Sequence, residues 1–305
     1  MRAAADILDP VFFQAGTVRL RAAQFPADPS APDRGLCVLL NGQTEFIEKY
    51  FEVIDELRVR GFAVATFDWR GQGGSDRLLP DDSRKSYVRD FSEYDADLAA
   101  FLEQVALPLA HGRRPIAIAH SMGGHNLLRY LARHPDGFAK AIVTAPMLAV
   151  SFRGNAAWFV GLVTAAQTLM GRGSRWVWGM EGRDPHRITF ATQMVTSDAM
   201  RFARTQKILV DQPALRLAGA TWSWLKAAMA SMRWLATQAP HITTPLLLIG
   251  AGKDRIVLTA QTRAFAERLP HARYIEIADA GHEVLMERDA LRAQWWHAVD
   301  DFLAS

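Results

Sequence analysis

A single cysteine in 305 residues, Cys37, leaves no disulfide framework to build on. It lies in the apolar run Cys37-Val38-Leu39-Leu40, which marks a core thiol and not a reactive one. Charge of one sign is also missing: 35 Lys and Arg stand against 32 Asp and Glu, a formal net charge of +3. No basic run alternates with aromatic residues, so nucleic acid is not an expected partner. The longest apolar stretch, Ala156 to Gly171, is interrupted by Thr164, Gln167 and Thr168. It falls short of the about 20 residues a spanning helix needs. The opening MRAAADILDPVFF has one arginine and two aspartates before any long apolar stretch, unlike a secretory leader, so the expected location is cytoplasmic. There is no HExxH, and His120 and His125 are five residues apart instead of the four that put two ligands on one helical face. Neither a metal nor a cofactor is expected.

What is present is alternation. Strand-like segments at Val11–Gln14, Val18–Ala23, Leu36–Leu40, Ala63–Phe67, Ile116–Ala119 and Ala141–Thr144 are separated by stretches with helical spacing, such as Tyr50, Val53, Ile54 and Leu57. Continuous apolar strands between amphipathic helices predict a mostly parallel sheet covered on both faces, an α/β fold. The pattern breaks after Pro146 and resumes with Leu246–Ile249, helix Ala260–Leu269, strand Tyr274–Ile277 and a last helix carrying Leu291, Trp295, Val299 and Phe302. Residues 147–239 hold no convincing strand but six of the nine Trp and seven of the ten Met. The expected architecture is one core domain, 1–146 and 240–305, with a helical cap of 147–239 inserted after the sixth core strand.

Three strand ends carry the chemistry. Ile116-Ala-Ile-Ala-His-Ser-Met-Gly-Gly runs from a buried strand through a turn on Ser121 into a helix, the layout of a nucleophile elbow. Small residues at Ala119 and Gly123 let strand and helix close on each other, with His120 completing the turn. A serine hydroxyl needs a base, and the base needs an orienting acid. Asp254 follows the strand Leu246–Ile249 and His282 follows the strand Tyr274–Ile277, both on the edge where Ser121 emerges. Asp279 is a rival acid, but it is only three residues from His282. The order Ser, Asp, His is that of the α/β-hydrolase fold. For the oxyanion, the backbone N–H of Met122 and that of Gln43, beside Gly42 in the loop after Leu36–Leu40, are the expected donors. Asp68-Trp-Arg-Gly-Gln-Gly-Gly-Ser75 lacks both phosphate-loop and dinucleotide spacing and is read as a structural turn flanking the site.

These motifs, together with Asn41-Gly42-Gln-Thr-Glu45-Phe and Gly252-Lys-Asp254-Arg-Ile-Val257, make the chain resemble the lysophospholipase and monoacylglycerol lipase branch of the α/β-hydrolases over nearly its whole length, and most closely the bacterial lysophospholipase L2 type. The resemblance implies a Ser121–Asp254–His282 triad, an oxyanion hole at Gln43 and Met122, and a cap between the sixth and seventh core strands. Asn41 stands where most relatives have His, and Ala119 where they have Gly.

The expected reaction is hydrolysis of a lipid-like carboxylic ester through an acyl-enzyme on Ser121. A general carboxylesterase, an amidase or a carbon-carbon bond hydrolase on the same fold is the alternative, and a non-catalytic binding protein on this scaffold a more remote one. Trp158, Trp176, Trp178 and Trp222 are the candidate lining of an apolar substrate pocket. The stretch Ala156–Gly171, with Arg153, Arg172 and Arg175 around it, reads first as a buried cap helix and second as a surface for peripheral contact with an anionic membrane.

Overall fold

The computed structural model describes residues 3–152, 154–181 and 183–305; Arg153 lies outside them. A central sheet of eight strands is built from β1 (Val11–Ala15), β2 (Val18–Phe25), β3 (Gly35–Leu40), β4 (Phe62–Phe67), β6 (Ile116–His120), β7 (Lys140–Thr144), β9 (Leu246–Ala251) and β10 (Ala272–Ile277). Their order across the sheet is β1-β2-β4-β3-β6-β7-β9-β10. The β1–β2 and β2–β4 pairs are antiparallel and every other pair is parallel. A separate parallel pair joins β5 (Lys85–Ser86) to β8 (Gly219–Ala220). All eight strands expected from the sequence are present.

The central strands are apolar throughout because both faces are covered. Along β3, Leu36, Val38 and Leu40 enter one core, while Cys37 and Leu39 enter the other. In β9, Leu246 and Leu248 alternate with Leu247 and Ile249 in the same way. The first core is closed by helices α2 (Ser92–Phe101), α3 (Ser121–Leu131) and α7 (Thr259–Ala266), the second by α1 (Phe51–Val59) and α8 (Asp289–Ala304). Each fully buried aliphatic side chain contributes on the order of 1.5–3 kcal/mol, so the parallel centre of the sheet is the rigid base for the loops above it. Strand order reverses between β3 and β6, and the loops leaving their C-terminal ends meet there.

Between β7, the sixth strand of the central sheet, and β9 lie helices α4 (Ala157–Leu169), α5 (Ala199–Asp211) and α6 (Trp222–Gln238). Two features of this segment differ from expectation. It does contain a strand, β8, too short for periodicity to reveal, held because Thr221 N and Oγ1 both donate to Ser86 O. Helix α4 is also not a buried helix: its buried residues are Thr164 and Gln167, while Trp158 is 74%, Leu162 62% and Leu169 85% exposed. Val160 and Val163 pack inward beside Thr164 and Gln167, while a second apolar face, with Trp158, Phe159, Leu162 and Leu169, points out.

Candidate active site

The turn from β6 into α3 holds Ser121 at φ +52°, a left-handed conformation that a side chain rarely adopts. This lifts the hydroxyl off the end of the strand, and Met147 N fixes the turn by donating to Ser121 O at 3.1 Å. Gly123 is required by close approach, since a Cβ there would lie 2.4 Å from Asn41 O and 2.7 Å from Leu40 O. Ala119 and His120 occupy β6 and are buried. Ala119 sits in register between Leu40 and Val143, where its methyl packs into the first core.

Three distant loops converge on Ser121. His282 Nε2 lies 2.9 Å from Ser121 Oγ, and His282 Nδ1 lies 2.6 Å from Asp254 Oδ2. An ionised carboxylate only accepts, so Nδ1 carries the proton and Nε2 is left to accept from the serine hydroxyl. Asp254 Oδ1 accepts from the backbone N–H of Ile256 (2.7 Å) and Val257 (2.9 Å). Burial acts to raise the Asp254 carboxyl, but the His282 bond and charge and these two amides outweigh it, holding it below its usual range. The rival Asp279 points elsewhere: it is 64% exposed and pairs with Lys253 at 2.7 Å.

The loop after β3 is clamped from several sides. Glu45 Oε2 accepts from Gly42 N and from the Tyr50 hydroxyl, and Glu45 Oε1 accepts from Lys49 Nζ at 2.8 Å. Lys49 also pairs with Glu283, the residue after His282, at 2.6 Å. Burial pushes the Glu45 carboxyl up, but the Lys49 charge beside it prevails and holds it well below the usual range. Gln72, from the Asp68–Ser75 turn, donates to Gly42 O, Asn41 Oδ1 and Glu45 O, so that turn supports the site as the sequence suggested. Asn41 Nδ2 donates to Phe67 O, which gives this departure from the family pattern a structural post. A Cβ on Gly42 would stand 3.1 Å from Ser121 Cβ. Among the described residues, Gln43 N has no hydrogen-bond acceptor, and Met122 N belongs to the first turn of α3, where backbone donors have no partner within the helix. Two amides are thus available beside the serine. The Gln43 side chain donates to Ser86 Oγ on β5.

The supporting roles of Glu45, Lys49, Tyr50 and Glu283 were not read from sequence. The signal was there in part, as an i,i+4 Glu45–Lys49 pair. The aromatic pocket fares differently. Trp158 and Trp178 are exposed, Trp222 is buried edge-on against Trp178 with ring centroids 5.1 Å apart, and Trp176 carries Lys85 over its face. None of the four lines the cleft of about 630 Å³ that opens beside the site, walled by Thr44, Ile256 and Glu283 on the core side and by residues 183–218 on the other.

Known proteins resemble this chain in sequence and in fold. The model of the Hydrolase_4 family, described as serine aminopeptidase, S33, matches residues 31–289. The chain is 31% identical over 280 residues to lysophospholipase L2 of Escherichia coli (strain K12), covering 87% of this chain and 79% of that one. It is 28% identical over 275 residues to a probable lysophospholipase L2 of Haemophilus influenzae, covering 90% and 85%. A soluble variant of the monoglyceride lipase of Saccharomyces cerevisiae, solved with a substrate analogue, superposes with a TM-score of 0.76 at 18% identity, over 99% of this chain and 97% of that one. The fold is that of the α/β-hydrolases, and the chain belongs to the Hydrolase_4 family of serine hydrolases, among its lysophospholipase L2 relatives.

Proposed function

We propose that this ester hydrolase cleaves the carboxylic ester of a single-chain glycerolipid, of lysophospholipid or monoacylglycerol type, through an acyl-enzyme on Ser121. The observation that carries the reading is the unbroken relay from Asp254 through His282 to Ser121 at the open edge of the sheet. The lipid class comes from the L2 relatives named above. Ser121 Oγ attacks the ester carbonyl as its proton passes to His282 Nε2, and the oxyanion accepts from the amides of Gln43 and Met122. Collapse of the tetrahedral intermediate expels the alcohol, which takes the proton from His282. Water then repeats the sequence, giving its proton to His282 and attacking the acyl carbon, and the fatty acid leaves as Ser121 recovers its proton. Asp254 remains ionised and holds the imidazolium.

An ester suits the cleft better than the N-terminus of a peptide. An α-ammonium group calls for an uncommitted carboxylate, and the two carboxylates lining the cleft are both engaged, Glu283 with Lys49 and Asp184 with His186. In this reading residues 147–239 are a cap over the core. Replacing Ser121 with Ala lowers kcat on an ester by about a million-fold. Substantial residual turnover by the purified variant overturns the assignment.

The cap also carries the contact with lipid. No helix among the described residues is long and apolar enough to cross a membrane. The outward apolar face of α4 nevertheless suits the interfacial zone of a bilayer, and residues 145–180 contain no Asp or Glu while Arg172 and Arg175 follow the helix. Replacing both Trp158 and Leu162 with Glu weakens sedimentation with anionic vesicles at least about tenfold. Absence of wild-type binding at low salt removes this contact.

A further inference from the structure

We propose that the cleft beside His282 recognises a phosphate ester, with Arg183 and Arg187 as the residues that select a lysophospholipid over a neutral monoacylglycerol. The inference rests on the ester-hydrolase reading of Ser121 and adds what stands on the leaving-alcohol side. The cleft's core wall includes chain neighbours of the site residues: Glu283 follows His282, Thr44 follows Gln43, and Ile256 lies two residues after Asp254. The cleft thus adjoins the loops that carry His282, Gln43 and Asp254, which is where the leaving-alcohol side of a bound ester would extend.

The charges of the lining point to an anion. Four cationic side chains line the cleft, Lys49, Arg183, Arg187 and Arg201, against two carboxylates, Asp184 and Glu283. Lys49 is held by Glu45 and Glu283, and Arg201 by Glu52, Asp198 and Asp289. Asp184 is held by His186 and approached by Arg216. Arg183 and Arg187 are different. Among the described residues, the Arg183 guanidinium meets only the Met180 thioether, at 3.7 Å, and no carboxylate or carbonyl accepts from the Arg187 guanidinium. Arg183 stands two residues before a single 3-10 turn, Pro185–Arg187, and Arg187 ends it; the carboxylate of Asp184, which precedes the turn, is already engaged. Two uncommitted guanidinium forks on one wall, with no carboxylate left to neutralise them, match a phosphate monoanion or diester, which each fork can engage through parallel N–H bonds. The rest of the wall, with Phe46, Ile188, Phe202 and Met286, is apolar and suits a glycerol backbone and the first carbons of a chain. A volume of about 630 Å³ lies within the usual range for small-molecule sites, about 300–1,000 Å³.

The test compares wild type with the R183Q/R187Q double variant on two esters carrying the same octanoyl chain, a lysophosphatidylglycerol and a monoacylglycerol. The expected result is a fall of about ten- to hundredfold in kcat/KM for the phosphate-bearing ester, carried by KM, with the monoacylglycerol changed less than about twofold. Equal falls on both esters, or no fall on either, overturn the proposal. Calorimetry of the lysophospholipid with the full chain carrying Ser121→Ala, with and without the double substitution, reads the subsite without turnover; unchanged affinity overturns it even where hydrolysis fails for other reasons. Wild type that hydrolyses neither ester, yet binds the lysophospholipid through these arginines, keeps the subsite and defeats the catalytic reading instead. Glycerol 3-phosphate inhibiting more strongly than inorganic phosphate supports a lipid headgroup as the source of the anion. Equal inhibition by the two overturns that part.

Discussion

Replacing Asp254 with Asn isolates the electrostatic role of the relay from its packing. The carboxylate serves two sides at once: Oδ1 accepts from the amides of Ile256 and Val257, and Oδ2 accepts from His282 Nδ1. An asparagine amide keeps one acceptor and gains a donor. The two backbone N–H groups require the acceptor, so the carbonyl oxygen takes the Oδ1 place and the NH₂ is turned toward His282. Facing a donor, Nδ1 gives up its proton and Nε2 becomes protonated, the tautomer that cannot accept from Ser121. The fold is left intact while the base is lost. The expected loss in kcat on a chromogenic ester is about ten-thousand-fold, or about 5 kcal/mol of transition-state stabilisation. The melting temperature stays within a few degrees because both backbone bonds survive. Asp279→Asn is the control and leaves kcat within about twofold, its carboxylate being exposed and paired with Lys253. A kcat for the Asp254 variant within tenfold of wild type, at unchanged melting temperature, refutes the reasoning.

Two further outcomes follow from the geometry. Gly123→Ala drives a methyl into Asn41 O and Leu40 O, displacing the loop that carries Gln43 N; kcat falls on the order of a hundredfold, and retention of full activity by the folded variant contradicts the proposed oxyanion donor. For pH dependence, burial outweighs the other influences and holds His125 at about 3 and His120 at about 4. Both lie below the ordinary value of about 6.5, so their stabilising contribution is complete above that value and is lost as pH falls toward the folded values. Relative to a His125→Phe variant, the wild type therefore loses about 2 kcal/mol between pH 7 and pH 5 in urea unfolding. A pH-independent difference between the two refutes this.

The sheet was legible because its central strands are buried on both faces and read as uninterrupted apolar runs, as Leu36–Leu40 does. Ser121, Asp254 and His282 were legible as a set because each follows the C-terminal end of a strand on one edge of the sheet, although β10, before His282, is only half apolar. Residues whose role depends on packing across the chain were not. Glu287 and Ser197 are 90 positions apart, and no local pattern announces their pairing. Helix α4 was misjudged as buried because its composition is apolar; only the fold reveals that Thr164 and Gln167 face inward. The tryptophans were placed at the pocket on composition alone, whereas Trp222 and Trp178 pack on each other. The arginines of the cleft lay in the part of the sequence with the weakest periodicity.

The buried Glu287 has a wider consequence. It accepts from Gly281 N beside His282 and from Ser197 N and Oγ in the segment between β7 and β9, while Glu283 N donates to Val195 O and Thr196 Oγ1 to Met286 O. The base loop and one side of the insertion thus share a single foundation. Selectivity and turnover are coupled on that side, so grafting an insertion from another hydrolase preserves activity only if the Val195–Ser197 seam goes with the His282 loop. On the α4 side the insertion is stitched to the acid loop as well, Ser151 N donating to Ile256 O and Leu258 N to Ala149 O, so both ends of the insertion rest on loops that carry the relay and a graft has to respect both.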